Sequence, residues 1–494
     1  MKILLAVSVS VERFHVIPDI GLGYLSQMAL DAGHEVEFLD CIRHHLSMDD
    51  WELEVAQRKP DLVGIKSYSA DLEPVAEMVK RVKRVSSDIK TVIGGPHPST
   101  EGSEGFYRQF PGLDYAFAGE AEPGWLPFLE MIESGNHDFE SVPGLAWLEA
   151  DGTIRGNEKV LHDDLDSLPM PAWDMMKPHE YKWGYSFMTN NYPAAPMILT
   201  RGCPYLCTFC GSYLITGRKV RKRSIDGVIE EIKVLQNKYG VKSIDIVDEN
   251  FVFYRDYVME FCQRLIDEEI NIGWNCPYGV RLDRLDAELV AKMSEAGCYA
   301  LSFGIESATN RILKEIKKVL TVEQTIEKVN MVHEAAPKMM LQGFFMIGFP
   351  DETADEIEAT IDLACSLPLN IAIFSPLRPT PGTKIYEDLV NSGVIYANLD
   401  YDPEGMGQHY FVRSYSPVDD DTMKSLYRKA YQKFYFRPKV IARLLWHTRS
   451  KAQARTIFNG IKRLMMRPIT KLDIRKPKSE EEVAELAGAS TQES

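Results

Sequence analysis

Thr200-Arg201-Gly202-Cys203-Pro204-Tyr205-Leu206-Cys207-Thr208-Phe209-Cys210 packs three of the chain's eight cysteines into eight residues. Met197–Thr200, just before them, reads as a buried strand, so the cysteines fall in the loop leaving a strand's carboxyl end. Thiolates are soft ligands that suit iron–sulfur clusters or zinc. Three and then two intervening residues let one loop wrap three corners of a cube, with Gly202 easing the turn. A structural zinc site is closed by four ligands, and no fourth cysteine or suitably spaced histidine lies nearby. Three cysteines on a [4Fe–4S] cluster leave one iron open to a substrate or cofactor. Spacing alone still admits zinc completed by a remote ligand, or three thiols without metal.

Downstream, strand candidates recur at Ser243–Val247, Ile272–Asn275, Ala300–Ile305, Met340–Ile347 and Ile371–Ser375. Between them lie helical stretches at Ile225–Tyr239, Arg255–Glu268, Asp286–Ala296, Thr321–Ala335 and Thr353–Leu367. Asp351, preceding the last of these, is an N-cap candidate. Six βα units in order predict a curved parallel sheet over 191–390, a partial (β/α)6 form of the TIM-type barrel. The site of such a barrel lies at the carboxyl ends of its strands, where the cysteine loop falls.

Residues 1–135 form an earlier alternating series. Ile3–Val9, Val36–Leu39, Leu62–Lys66, Thr91–Ile93 and Tyr115–Ala118 read as strands, and Gly21–Ala32 and Pro74–Val85 as helices. The opening MKILLAVSVS superficially matches a secretory signal, but Glu12, Arg13 and His15 follow at once without a small-residue cleavage site. It is read as the first buried strand. Wholly apolar strands between helices predict a Rossmann-like, doubly wound parallel sheet covered on both faces. Its ligand crevice lies beyond the carboxyl ends of the strands, at Ser10–Pro18, Ser67–Asp71, Gly94–Ser99 and Gly119–Glu122. The small residues there would admit a bulky planar ligand. Gly21-x-Gly23 lacks the third glycine of a dinucleotide fingerprint. Residues 136–190, including the turn-rich Asp164–Trp173, are expected to connect the two domains.

The chain has 494 residues, a length that suggests two or three domains. A net charge of −16 argues against nucleic acid as a partner. No apolar run approaches the roughly 18 to 20 residues that cross a bilayer. Cys41, Cys262, Cys276, Cys298 and Cys365 are too scattered for a disulfide scaffold and are expected to be buried, which fits a cytoplasmic protein. Residues 391–478 are expected to be mostly helical, with a loop at Tyr401–Pro417 and an acid-started helix at Asp419–Tyr435. In Arg437–Met466, apolar residues such as Ile441, Leu444, Ile457 and Ile461 recur near helical spacing among Lys and Arg. That pattern fits a helix lying peripherally on anionic membrane, or one covering the barrel with its basic face in water. The acidic tail 479–494 is expected to be disordered.

The CxxxCxxC loop followed by six βα units resembles the radical S-adenosylmethionine (SAM) superfamily. The first domain resembles the cobalamin-binding domain preceding the barrel in the class B methyltransferase-like subgroup. The carrying residues are Gly21-Leu22-Gly23-Tyr24-Leu25, Ala32-Gly33-His34-Glu35-Val36, Gly94-Gly95-Pro96-His97-Pro98 and Gly119-Glu120-Ala121-Glu122. The resemblance covers residues 1 to 390.

It implies that Cys203, Cys207 and Cys210 hold a [4Fe–4S] cluster whose open iron chelates SAM. Reductive cleavage of SAM then gives a 5′-deoxyadenosyl radical that takes hydrogen from substrate. Phe209 would help position adenine, with Gly343 and Gly348 of GFFMIGFPDE lying along it. Asp248 and Glu249 would meet the SAM amino end, and Arg281, Glu306 and Ser307 its carboxylate and ribose. A zwitterion needs such paired partners, and a ribose diol suits a carboxylate. Cobalamin would contact Ser67, Gly94, Gly95, Pro96, Gly119 and Glu120. The Asp-x-His-x-x-Gly element that supplies a cobalt ligand elsewhere is absent, and His97 lacks that context. The implied reaction is methyl transfer to an unactivated carbon of a small molecule or lipid, with an electron donor such as flavodoxin or ferredoxin. Relatives of this architecture also form rings or cyclise oxidatively. A non-catalytic cobalamin or cluster sensor is the reading from another class, and the intact three-cysteine loop argues against it.

Overall fold

Apolar strands without polar alternation need cover on both faces, and helices supply it to the parallel strands of two sheets. The computed structural model describes residues 1–9, 17–100, 107, 109–136, 138–149, 151–181, 188–189, 191–395, 414–448 and 454. The first sheet runs β2-β1-β3-β4-β5-β6-β7. Strands β1 (Lys2–Val7), β2 (Glu35–Asp40), β3 (Leu62–Lys66), β4 (Lys90–Gly94) and β5 (Tyr115–Phe117) are mutually parallel. Winding reverses between β1 and β3, which parts the loops there and opens the crevice. Leu4, Val63, Ile65 and Val79 pack on one face, and Ile3, Leu5, Phe117 and Phe128 on the other.

This sheet extends past residue 135. β6 (Leu145–Leu148) and β7 (Ile154–Gly156), expected to be connecting chain, add an antiparallel hairpin to β5. Leu145, Ala146 and Trp147 are all buried, so β6 lacks the alternation that marks a surface hairpin.

The second sheet places β8 (Ala194–Met197), β11 (Ser243–Ile246), β12 (Gly273–Val280), β13 (Cys298–Glu306), β14 (Met340–Ile347) and β15 (Ile371–Pro376) side by side in chain order, all parallel. This is the expected partial barrel. Its covering helices include Ile225–Tyr239, Arg255–Asp267, Ala287–Glu295, Val322–Ala335 and Ala354–Ser366. Thr321 with Gln324, and Thr353 with Glu356, form capping boxes. Thr353 is therefore the N-cap in place of Asp351, which turns the chain at φ +60°.

The strand expected at Met197–Thr200 is divided. β8 ends at Met197, and β9 (Thr200–Arg201) leaves the barrel to pair antiparallel with β10 (Arg221–Lys222). That ribbon is the neck of the cysteine loop.

Six strands leave the barrel open, and an edge strand exposes unpaired backbone groups. The helix Asp420–Tyr435 covers this edge. Tyr431 Oη accepts from Phe374 N at 3.3 Å and donates to Phe374 O at 3.0 Å. Tyr435 Oη does the same for Ala372, at 3.3 and 3.0 Å. Four helical residues rise about 6 Å and two strand residues about 6.6 Å, so the two repeats match. In the next helix, Pro438–His447, Val440 and Leu444 join the barrel core. Nearly all of the basic stretch beyond it, most of the expected Tyr401–Pro417 loop and the acidic tail lie outside the described residues. No described helix is long and apolar enough to cross a membrane. Cys41, Cys262, Cys276 and Cys298 are buried as expected, whereas Cys365 is half-buried.

Candidate functional site

The cysteine loop is shaped by contacts at its neck and back. Gly202 turns at φ +99°, and a Cβ there would lie 2.3 Å from Lys219 O, so the position requires glycine. Gly202 N donates to Glu249 Oε2 at 3.2 Å, and Thr216 Oγ1 to Glu249 Oε1 at 3.0 Å. Cys203 N donates to Gly217 O at 3.1 Å, Thr208 N to Ile316 O at 3.2 Å, and Ile385 N to Thr208 O at 3.0 Å. Phe209 packs among Ile312, Ile316, Leu377 and Ile385, edge-on to Phe349 at 6.2 Å. All three thiols are half-buried. Among the described residues, no three or more His, Cys, Asp or Glu side chains converge as ligands of a single ion.

Burial pushes the thiols of Cys203 and Cys207 up, and cations oppose it. Lys318 and then Arg281 act on Cys207, and Arg281 on Cys203. The Arg281 guanidinium lies 3.8 Å over the Tyr205 ring, with Nη1 4.0 Å from Cys207 Sγ and Nε donating to Asp283 Oδ1 at 2.8 Å. Lys318 Nζ pairs with Glu306 Oε1 at 3.1 Å. Glu306 holds φ +71°, a conformation uncommon for any residue but glycine. Thiolate is the ligating form of cysteine, and these cations favour it. The donor set therefore fits an iron–sulfur cluster bound through three cysteines.

The radical SAM superfamily matches over residues 197–364, and the B12 binding domain over residues 7–124. An uncharacterized methyltransferase of Pyrococcus horikoshii is 31% identical over 436 residues, spanning 86% of this chain and 89% of that protein. This chain belongs to the radical SAM superfamily. Its amino-terminal domain is a B12 binding domain, and its cofactors are a [4Fe–4S] cluster, SAM and cobalamin. The cytidylyl-2-hydroxyethylphosphonate methyltransferase of Streptomyces wedmorensis is 29% identical, covering 76% of this chain and 78% of its own. TsrM from Kitasatospora setae, a radical SAM methyltransferase solved with cobalamin and a [4Fe–4S] cluster, shares the fold at TM-score 0.67 and 17% identity, covering 93% of this chain and 99% of that one.

Within this radical SAM barrel, the residues expected around SAM divide. Arg281 and Glu306 stand beside Cys207. Asp248 binds the chain of its own barrel. Its Oδ1 accepts from Leu199 N at 2.9 Å, and its Oδ2 from Thr200 N and Oγ1 at 2.7 and 2.8 Å, fixing the chain just before the neck. Burial pushes its carboxyl up to about 7. Glu249 braces the loop, and Phe209 packs behind it. Ser307 is buried and accepts from Thr309 N at 3.2 Å at the start of the helix Asn310–Glu315. Gly343 faces outward, because a Cβ there would meet Leu369 and Phe345 at 2.8 Å. Gly348 turns at φ +84° with its N–H donated to Glu352 Oε2 at 2.6 Å. Lys318 and Gly304 complete this corner. A Cβ at Gly304 would lie 2.5 Å from Glu306 Oε1 and 2.9 Å from Lys318 Nζ, so glycine makes room for that pair. The glycine inside Ser302-Phe303-Gly304-Ile305-Glu306 was the available signal.

In the B12 binding domain, Ser67 Oγ is buried and finds no hydrogen-bond partner among the described residues. Gly94 has nothing within 4 Å of its Cβ direction, and Gly95 turns at φ +104° with its own Cβ position 2.9 Å from Ser67 O. Pro96 opens the short helix Pro96–Thr100. An orphaned hydroxyl beside an open glycine at the carboxyl ends of β3 and β4 fits a large ligand. The other two expected contacts are occupied. The alkyl chain of Lys159 lies 3.1 Å from the Cβ position of Gly119, and both carboxylate oxygens of Glu120 bind Arg221. His97 is buried, with Nδ1 3.2 Å from Ser69 Oγ and Nε2 2.9 Å from Gln109 Oε1. Burial lowers its pKa to about 4. Both ring nitrogens are engaged inside the domain.

Proposed function

We propose that this enzyme transfers a methyl group to an unactivated carbon of a small-molecule or lipid substrate. The observation that carries this reading is the buried contact between Glu120 and Arg221, which joins the loop after β5 to the neck of the cysteine loop. The cofactor crevice of one domain thereby adjoins the cluster loop of the other. The methyltransferase names of the two relatives support it. When bound, the cluster and SAM supply a hydrogen-abstracting radical, and cobalamin supplies the methyl group.

The chain's own residues bind and orient. Cys203, Cys207 and Cys210 hold the cluster, with Lys318 and Arg281 favouring the thiolate of Cys207 and Arg281 that of Cys203. Arg281 pairs with the SAM carboxylate, and Glu306 accepts hydrogen bonds from SAM. Ser67, Gly94, Gly95 and Pro96 receive cobalamin. Tyr431 and Tyr435 seal the barrel edge and keep water from that side of the site. The domains run over residues 1–156 for cobalamin and 194–376 for the barrel. The required electron comes from a small donor such as flavodoxin or ferredoxin.

A lipid substrate is favoured by one observation. Trp446 is 74% exposed on the helix Pro438–His447, within the basic stretch. Co-sedimentation with anionic vesicles, full length against a truncation after Tyr435, tests the membrane contact on which the lipid reading rests.

The protein, reconstituted with iron and sulfide and given dithionite and SAM, is expected to form 5′-deoxyadenosine. Yields no higher than those of a Cys203→Ala control would overturn the enzyme reading. Purification with hydroxocobalamin is expected to leave a bound corrinoid spectrum, and its absence would remove methyl transfer.

A further inference from the structure

Arg201 and Arg221 face each other in register across β9 and β10, at the two ends of the cysteine loop. Both are buried, so two like charges stand side by side away from water. Such a pair repels unless countercharge reaches it. The amino-terminal domain supplies that countercharge. Arg221 Nη1 and Nη2 donate to Glu120 Oε2 and Oε1 at 2.7 and 2.8 Å, fork on fork. Arg201 Nη2 donates to Glu122 Oε1 at 2.7 Å, with Nη1 3.5 Å from Glu120 Oε1. His162 N donates to Glu120 Oε2 at 2.7 Å, and Arg221 donates to the carbonyls of His162 and Thr216 at 2.8 and 2.6 Å. Tyr24, from the first helix of the amino-terminal domain, lies with its ring 5.5 Å from the Arg201 guanidinium. One buried network thus joins the loop beyond β5, the connecting chain and both ends of the cysteine loop.

Buried ion pairs add little stability over apolar packing, and their best-attested use is to fix register. Apolar contacts would let the two domains slide. A bidentate guanidinium–carboxylate pair tolerates little displacement, because both hydrogen bonds require one plane and one distance. We propose that Glu120 and Arg221, with Glu122 and Arg201, are positioning residues that set the separation between the cobalamin crevice and the three-cysteine loop. This rests on the two-cofactor reading above.

The consequence is a split between two fates of SAM. SAM that gives its methyl group to cobalamin leaves S-adenosylhomocysteine. SAM cleaved with one electron from an external reductant leaves methionine and, after hydrogen abstraction, 5′-deoxyadenosine. The first fate needs both sites in register. The second needs only the cysteine loop.

The full-length protein, reconstituted with iron and sulfide and loaded with hydroxocobalamin, is given titanium(III) citrate and SAM. Glu120→Gln and Arg221→Gln are expected to keep cluster absorbance and to hold 5′-deoxyadenosine within about twofold of wild type, while S-adenosylhomocysteine falls about tenfold. Arg221→Lys keeps the charge without the fork and is expected to recover part of that loss. An unchanged ratio of the two products in both Gln variants overturns the proposal. A second measurement needs no cofactor. Hydrogen exchange of the cofactor-free variants is expected to rise at 119–122 and 202–221 and to stay unchanged in β13 and β14. Exchange unchanged at the network, or lost protection throughout the barrel, also overturns it. Wild type forming neither product sinks the two-cofactor reading, and the exchange experiment still judges the network.

Discussion

Lys318 Nζ sits 3.1 Å from Glu306 Oε1, in space left by the missing side chain of Gly304. The pair lies beside Cys207, where Lys318 is the foremost group opposing the upward pull of burial on the thiol. Replacing Lys318 with Met removes that cation. Less Cys207 is then thiolate at a given pH, so cluster assembly is expected to need a higher pH than in wild type. Charge-transfer absorbance after reconstitution across a pH series measures this. Superimposable profiles would dismiss the role.

Gly304→Ala tests the same corner sterically. The added carbon would fall 2.5 Å from Glu306 Oε1, so the carboxylate must move. Iron content is expected to hold while SAM affinity drops roughly tenfold. Equilibrium binding of SAM to the reconstituted protein checks it, and unchanged affinity would show that Glu306 lies outside the SAM site.

Glu352 gives the fold a pH dependence. Its Oε2 accepts from Gly348 N and Phe349 N at 2.6 and 3.1 Å, and burial raises its pKa from the ordinary 4.5 to about 7. Between those values the folded chain keeps a proton that the unfolded chain has released. Stability from this group is therefore present below 4.5 and lost as pH rises through 7, by on the order of 3 kcal/mol. Glu352→Gln stays neutral throughout. Its unfolding free energy is expected to match wild type at acid pH and exceed it at alkaline pH. Parallel curves would refute the assignment.

Tyr431→Phe removes the hydroxyl that pairs with both Phe374 N and Phe374 O on the barrel edge. Two backbone groups lose their partner, at about 1–3 kcal/mol. Denaturant unfolding should register this, together with increased self-association through the bared strand. A loss indistinguishable from zero would mean that water serves the edge equally well.

Gly94→Val addresses the first domain. Nothing lies within 4 Å of the direction a Cβ would take, so the variant is expected to fold normally. It would project into the crevice and weaken corrinoid binding by roughly tenfold. Corrinoid retained at wild-type affinity would place cobalamin elsewhere.

Much of this was legible in the chain. The six barrel strands announced themselves as apolar runs, and Ile225–Tyr239 matched its structural bounds because Ser224 caps one end and Gly240 the other. The hairpin β6–β7 is not legible locally, because its burial comes from β5 and the helix layer, which no local pattern records. Asp248 and Glu120 show the deeper limit. Each is an acidic residue at the carboxyl end of a strand, where a ligand contact is a reasonable expectation. Each is instead consumed by protein groups distant in sequence, Leu199 and Thr200 for one and Arg221 for the other.

The cysteine loop and the parallel strands of both sheets could be read from the residues, and the cofactors from resemblance to a known family. The loop and the strands follow from spacing and periodicity, which act over a few residues. The use of each charge is set by the fold: Arg281 and Glu306 stand beside the loop, while Asp248 and Glu120 build its supports. The partner of a buried charge is whatever the folded chain brings within hydrogen-bonding distance, and that depends on the packing of whole domains.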